Sequence, residues 1–165
     1  MYQKTIWPED KNELYQLLAL QLEALVKDCP PVSALSNASA LLWDALDAIN
    51  WAGFYLLKDE LLHLGPFQGK TACTLIPLGK GVCGTAAVKR EIQLVKDVHQ
   101  FPGHIACDSA SNSEIVLPII AGDVLLGVMD IDAPVFARFD QDDAAGLKLL
   151  CEILANKVDW SHGLL

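Results

Sequence analysis

The groups able to do chemistry in this chain are thiols and carboxylates set in short polar segments. Of five cysteines, Cys73 (KTACTL), Cys83 (GKGVCGTA) and Cys107 (GHIACDSASNSE) sit among turn-forming and polar residues. A thiol placed there can be reached and ionised. Cys83 stands at the start of a short helical pattern, whose positive dipole end favours a thiolate. Cys107 lies in a long polar stretch close to His99 and His104. On local context each is equally readable as a small buried hydrophobe. Cys151, on an apolar helical stripe, and Cys29, beside two prolines, fit that second reading. An odd cysteine count in a chain with a sizeable core argues against a disulfide framework. There is no CxxC pair, and the spacings 73 to 83 and 83 to 107 match no common zinc finger or ribbon.

Acidic residues occupy less usual places. In Leu126-Gly127-Val128-Met129-Asp130-Ile131-Asp132, strand alternation puts Leu126, Val128, Asp130 and Asp132 on one face. That face begins apolar and ends in two carboxylates. Glu114, at the mouth of the preceding strand, joins them if the two strands pair in register. The spacing leaves open a solvated strand end or a divalent-cation site, since carboxylates suit such ions. Along INWAGFYLL, alternation places Ile49, Trp51, Gly53, Tyr55 and Leu57 together. Two aromatics flanking a glycine describe either a core face with a close backbone contact or an aromatic-lined pocket.

The elements that must position these groups follow from periodicity. Glu9 to Lys27 carries Leu14, Leu17, Leu18, Leu22 and Leu25 at helical spacing, with Pro8 suited to its first turn. Cys29-Pro30-Pro31 breaks it, and a second helix runs from about Ser33 to Asp47. The period then changes to strands at Ile49–Leu57, Leu61–Pro66 and Ala72–Leu78. Gly79-Lys80-Gly81 turns into a short helix, Val82–Lys89, followed by a short strand, Glu91–Val95. Asp97 to Ser113 has no apolar period, and a loop that long in a compact domain is often functional. Ile115–Ile120 and Val124–Ile131 form a hairpin about Ala121-Gly122-Asp123. A last helix runs from an Asp140 cap to about Val158. Without a βαβ alternation, the class is α+β: a central antiparallel sheet with helices packed on one side.

Composition bounds the function. With 165 residues, 52% of them hydrophobic, the chain reads as a single domain, 1–165, that needs no metal to fold. Twelve Lys+Arg against 21 Asp+Glu leave a net charge of −9, which disfavours nucleic acid and anionic membranes. The N-terminus lacks a signal peptide's apolar region, and no apolar run is long enough to span a bilayer, so a cytoplasmic protein is expected.

Taken together, INWAGFY, LGPFQGK-x-AC, IP-x-G-x-GVCG, DVH, F-x-GHIACD-x-ASNSEIVLP and GV-x-DIDA resemble the free methionine-(R)-sulfoxide reductases, standalone enzymes of the GAF fold. The match is dense from Ile49 to Asp132, and the helix order extends it over nearly the whole chain. The resemblance implies that Cys107 is the nucleophile and takes the sulfoxide oxygen as a sulfenic acid. Cys73 is then the main resolving thiol, Cys83 an auxiliary or alternative one, and thioredoxin the reductant. Glu114, Asp130 and Asp132 match the family's acidic site residues, and Trp51 and Tyr55 its aromatic wall. No cofactor or metal is implied, and a homodimer is. The alternatives are a ligand-sensing GAF module that turns nothing over, and a thiol redox sensor acting through a partner.

Overall fold

The computed structural model describes residues 4–162. Its first helix, α1 (Lys11–Val26), begins where the Asp10 side chain accepts from the Glu13 N–H at 3.0 Å. Asp10, not Pro8, therefore starts the helix, because a side-chain oxygen can satisfy a first-turn donor and proline cannot. In α2 (Pro31–Ala45) Pro31 is itself in the first turn, where its missing N–H costs nothing. The helix thus starts two residues before the apolar stripe suggests.

Six strands follow: β1 (Trp51–Lys58), β2 (Leu61–Gly69), β3 (Leu75–Pro77), β4 (Gln93–Val95), β5 (Ser113–Ala121) and β6 (Val124–Ala133). They form one antiparallel sheet in the order β3-β2-β1-β6-β5-β4. The short helix α3 (Gly81–Lys89) separates β3 from β4, and α4 (Gln141–Lys157) closes the chain. Two tight turns set the register. Asp59 and Glu60 both take positive φ, 51° and 61°, as a two-residue hairpin turn requires, so Lys58 faces Leu61. Gly122 at φ 59° does the same between Ala121 and Val124.

Alternation then divides the side chains between two cores. Ala52, Phe54, Leu56, Ile115, Leu117, Ile119, Met129 and Ile131 pack under α1, α2 and α4. Trp51, Tyr55, Leu62, Val116 and Val128 face the other way, with Val82, Ala86 and Ala87 of α3. The three long helices cover one side as the sequence suggests, and α3 roofs part of the other. One expected residue changes sides. Ile119 faces Gly127 and Ile120 faces Leu125, so the bulge at Leu126 turns that side chain into the three-helix core, away from Val128 and Asp130.

The start of α4 is locked to α1. Asp140 caps it in a capping box with Asp143, and the buried Asp143 also accepts from Tyr15 Oη at 2.8 Å and Lys11 Nζ at 2.7 Å. Gly146 lets the Tyr15 ring lie on α4, since a Cβ there would sit 2.1 Å from Tyr15 Cγ. Among the described residues no helix is long and apolar enough to cross a membrane.

Candidate active site

The face of the sheet that α3 only partly covers carries a cavity at the mouths of β1, β5 and β6. Its walls come from Trp51 and Tyr55 (β1), Val82 and Cys83 (α3), Glu114 (β5), Asp130 and Asp132 (β6), and Cys107 in the 96–112 loop. Cys73 reaches it through a disulfide to Cys107, with the two Cα atoms 6.0 Å apart. The structure thus gathers every candidate read from the sequence at one place, from segments far apart in the chain. The cavity measures about 40 Å³.

The carboxylates come together by register. Glu114 pairs with Asp132 across the β5–β6 ladder, and Val116 with Asp130, so all three acids project from the same face at adjacent rungs. The solvated strand end is excluded: Glu114 is 5% and Asp130 6% exposed. Burial pushes all three carboxyls well above the usual range, and their mutual repulsion adds to it: Asp132 acts on Glu114, Glu114 on Asp130 and Asp130 on Asp132. His104 Nε2 stands 3.6 Å from Glu114 Oε2 without offsetting this. Burial lowers the imidazole's own affinity for a proton, so it does not supply a fixed positive charge at neutral pH. The cluster is therefore a store of protons held beside the thiols.

Cys83 overturns one expectation. The helix dipole argues for a thiolate, but the side chain is buried and its Sγ donates to Asp130 Oδ2 at 3.3 Å. Burial first, then Asp130 and Glu114, drive its ionisation well above the ordinary thiol value. The partial charge at the helix end is outweighed by burial, and the neighbouring Asp130 and Glu114 add to it. Cys83 is thus a thiol and a hydrogen-bond donor, free of any disulfide. Cys151 is buried in the three-helix core, and the half-buried Cys29 donates to Leu25 O at 3.4 Å, both remote from the cavity lining.

The aromatic wall also holds the Cys73 segment. Trp51 Nε1 donates to Lys70 O at 3.1 Å and Tyr55 Oη to Cys73 O at 3.1 Å. The Trp51 ring stacks on Phe67 and Tyr55 at centroid distances of 5.1 and 5.9 Å. Gly53 is required there, because a Cβ would lie 2.3 Å from Phe67 Cβ and 2.7 Å from Trp51 Cη2. Both readings of the aromatic–glycine pattern hold at once: a close packing contact makes the pocket wall.

Several residues at or beside the cavity were not singled out in the sequence. Asn50 Nδ2 donates to Asp108 Oδ2 at 3.1 Å and to Ser111 Oγ at 3.0 Å, pinning the 96–112 loop to the start of β1. Lys70 Nζ lies 3.6 Å from the same Asp108 carboxylate. Ile105 packs on Gly81, whose φ of 62° begins α3. The signal for Asn50 was a polar residue directly before a buried strand; only the fold shows what it ties down. At the N-terminus of α3, Lys80 provides no side-chain cap, which leaves first-turn N–H groups beside the cavity.

Comparison with known proteins identifies the family. The family model described as GAF domain matches residues 35–159. The chain is 53% identical over 142 residues, 86% of either chain, to the free methionine-R-sulfoxide reductase of Escherichia coli (strain K12). Its fold superposes on the free methionine-R-sulfoxide reductase of Neisseria meningitidis, solved with its substrate, with a TM-score of 0.92. That pair is 40% identical and the match covers 98% of each chain. The reduced form of the Staphylococcus aureus protein fRMsr gives a TM-score of 0.86 at 51% identity, covering 95% of this chain and 100% of that one.

Proposed function

We propose that this chain, which belongs to the GAF-domain family of free methionine-R-sulfoxide reductases and is an oxidoreductase, reduces free L-methionine-(R)-sulfoxide to methionine through Cys107, with Cys73 as the resolving thiol. The observation that carries the mechanism is the Cys73–Cys107 disulfide set against buried, proton-holding carboxyls in one cavity. A sulfoxide oxygen is a poor leaving group until it is protonated. In the reduced protein the Cys107 sulfur attacks the sulfoxide sulfur while a carboxylic acid of the Glu114–Asp130–Asp132 cluster protonates the oxygen. The oxygen passes to Cys107 as a sulfenic acid, and methionine departs two electrons richer. The Cys73 thiol then displaces water from that sulfenic acid and forms the disulfide. A dithiol reductant, which we take to be thioredoxin, restores both thiols.

The remaining groups read the substrate. The Trp51 face takes the methyl on the sulfur as it gains positive character. A carboxylate of the cluster pairs with the α-ammonium, and the uncapped N–H groups of α3 take the α-carboxylate. Cys83, held as a thiol by Asp130, is the auxiliary thiol. The family resemblance further supports a single domain, 1–165, acting as a cytoplasmic homodimer without a cofactor.

The test is a single turnover. Pre-reduced protein mixed with free methionine-(R)-sulfoxide should release one methionine per chain and acquire the Cys73–Cys107 linkage in a peptide map. Cys107→Ser should release none, because oxygen cannot take the sulfenic acid's place. Methionine release by the serine variant at more than a few per cent of the wild-type yield would remove Cys107 from the reaction.

A further inference from the structure

Cys83 Sγ, a Glu114 oxygen and an Asp130 oxygen lie within 4.8 Å of one another, and all three residues are buried. Cys83 Sγ and Asp130 Oδ2 are 3.3 Å apart. Two ligands at tetrahedral angles on zinc, sulfur at ~2.3 Å and oxygen at ~2.1 Å, are separated by about 3.6 Å. A second observation points to a ligand. Among the described residues no hydrogen bond reaches Asp130 Oδ1, although Asp130 is 6% exposed and lines the cavity. A buried carboxyl oxygen without a donor is costly. A proton shared with Glu114 is one way to satisfy it, and a cation is the other.

We propose that the reduced protein binds one Zn²⁺ ion through Cys83, Glu114 and Asp130, with the fourth position open to the cavity. The donor chemistry selects the ion. One sulfur and two oxygens in a tight cluster suit a small borderline cation with four ligands, whereas calcium needs six to eight oxygens. As the Zn–S and Zn–O bonds form, the Cys83 thiol proton and the carboxyl protons leave to solvent. The ion takes over the negative charge that otherwise has to be neutralised by protons. It also fills the space beside Cys107. If the reaction proposed above is right, zinc is consequently an inhibitor of this protein, competing with the sulfoxide for the same carboxyls and holding the acid that should protonate the oxygen.

The test uses full-length protein carrying Cys73→Ser and Cys107→Ser, which can neither form the bridge nor turn over. Anaerobic titration with Co²⁺ should give one equivalent per chain, with a sulfur-to-cobalt charge-transfer band and intense tetrahedral ligand-field absorption, both removed by Zn²⁺. Adding Cys83→Ala should abolish the charge-transfer band. Glu114→Gln should keep the band and weaken Zn²⁺ binding on the order of 10–100-fold. Thermal melting checks that each variant is folded before titration. No charge-transfer band in the parent, or a band that survives Cys83→Ala and hence arises at Cys29 or Cys151, overturns the site. Free methionine-(R)-sulfoxide should displace Co²⁺ from the parent. A sulfur band that forms normally but ignores the sulfoxide leaves the metal site standing and counts against the substrate pocket instead.

Discussion

Blocking the substrate's amine is the sharpest probe of the carboxyl cluster. Proton donation needs one acid, yet Glu114, Asp130 and Asp132 stand on adjacent rungs of one sheet face, two of them less than a tenth exposed. An α-ammonium placed among them would ionise a neighbour and form a charged hydrogen bond away from bulk water, a contact about 3 kcal/mol stronger than none. Acetylation removes the charge and adds an acyl group where the ammonium would lie against the carboxyls lining the cavity. At ~1.4 kcal/mol per decade, the lost contact alone lowers kcat/KM by about 100-fold, before any steric cost. The measurement compares free and N-acetyl methionine-(R)-sulfoxide in a thioredoxin-coupled NADPH assay at equal reductant. An oxidised protein, whose sulfoxides carry peptide bonds in place of the ammonium, should behave like the acetylated compound. Comparable kcat/KM for the free and acetylated epimers would mean that the carboxyls do not read the ammonium, and the free-amino-acid assignment would fall with it.

Three further expectations come from the same structure. Cys73→Ser should still release up to one methionine per chain in a single turnover and then stall with thioredoxin, whereas Cys29→Ser and Cys151→Ser should leave turnover unchanged; a lost burst in Cys73→Ser would reverse the roles of Cys73 and Cys107. Thermal stability should pass through a maximum in mild acid. Asp140, held down to about 2 by Lys11, contributes stability above the ordinary carboxyl value of ~4 that is lost as pH falls toward 2. The raised Glu114, Asp130 and Asp132 bind protons more tightly folded than unfolded, so their contribution falls as pH rises through their folded values, and Asp130→Asn should flatten that alkaline limb in a melting-temperature profile. Gly146→Ala should lower the melting temperature by about 3–6 °C, because overpacking against the buried Tyr15 ring outweighs the ~1 kcal/mol gained in helix propensity; a rise would show that α1 moves aside freely.

What could be read from residue order alone divides along a physical line. That Asp130 and Asp132 share a face was legible because a period of two determines which side chains of β6 point the same way. The turn alone does not bring Glu114 to them: from Ala121 opposite Val124 an unbroken ladder would set Glu114 against Ile131, and the extra residue at Leu126 shifts the register by one to Asp132. The same reasoning failed one turn away at Leu126, where a bulge inserts a residue that no alternation reveals. The Cys83 ionisation had the wrong sign because the dipole of its own helix is a local property, whereas its burial over Asp130 depends on which strand lies beneath α3. The approach of Cys73 to Cys107, 34 residues apart, was legible only through family resemblance. Its physical cause is equally non-local: Trp51 and Tyr55 hold the 70–73 segment by its carbonyls, and Asn50 holds the opposing loop through Asp108 and Ser111. The start of β1 therefore carries both halves of the thiol pair as well as the pocket wall. Loosening Asn50 should separate the two thiols without touching either, so Asn50→Ala should slow disulfide formation after methionine release more than the release itself. Equal slowing of both steps, read by quenched-flow peptide mapping against methionine yield, would show that Asn50 supports the pocket as a whole and not the meeting of the two cysteines.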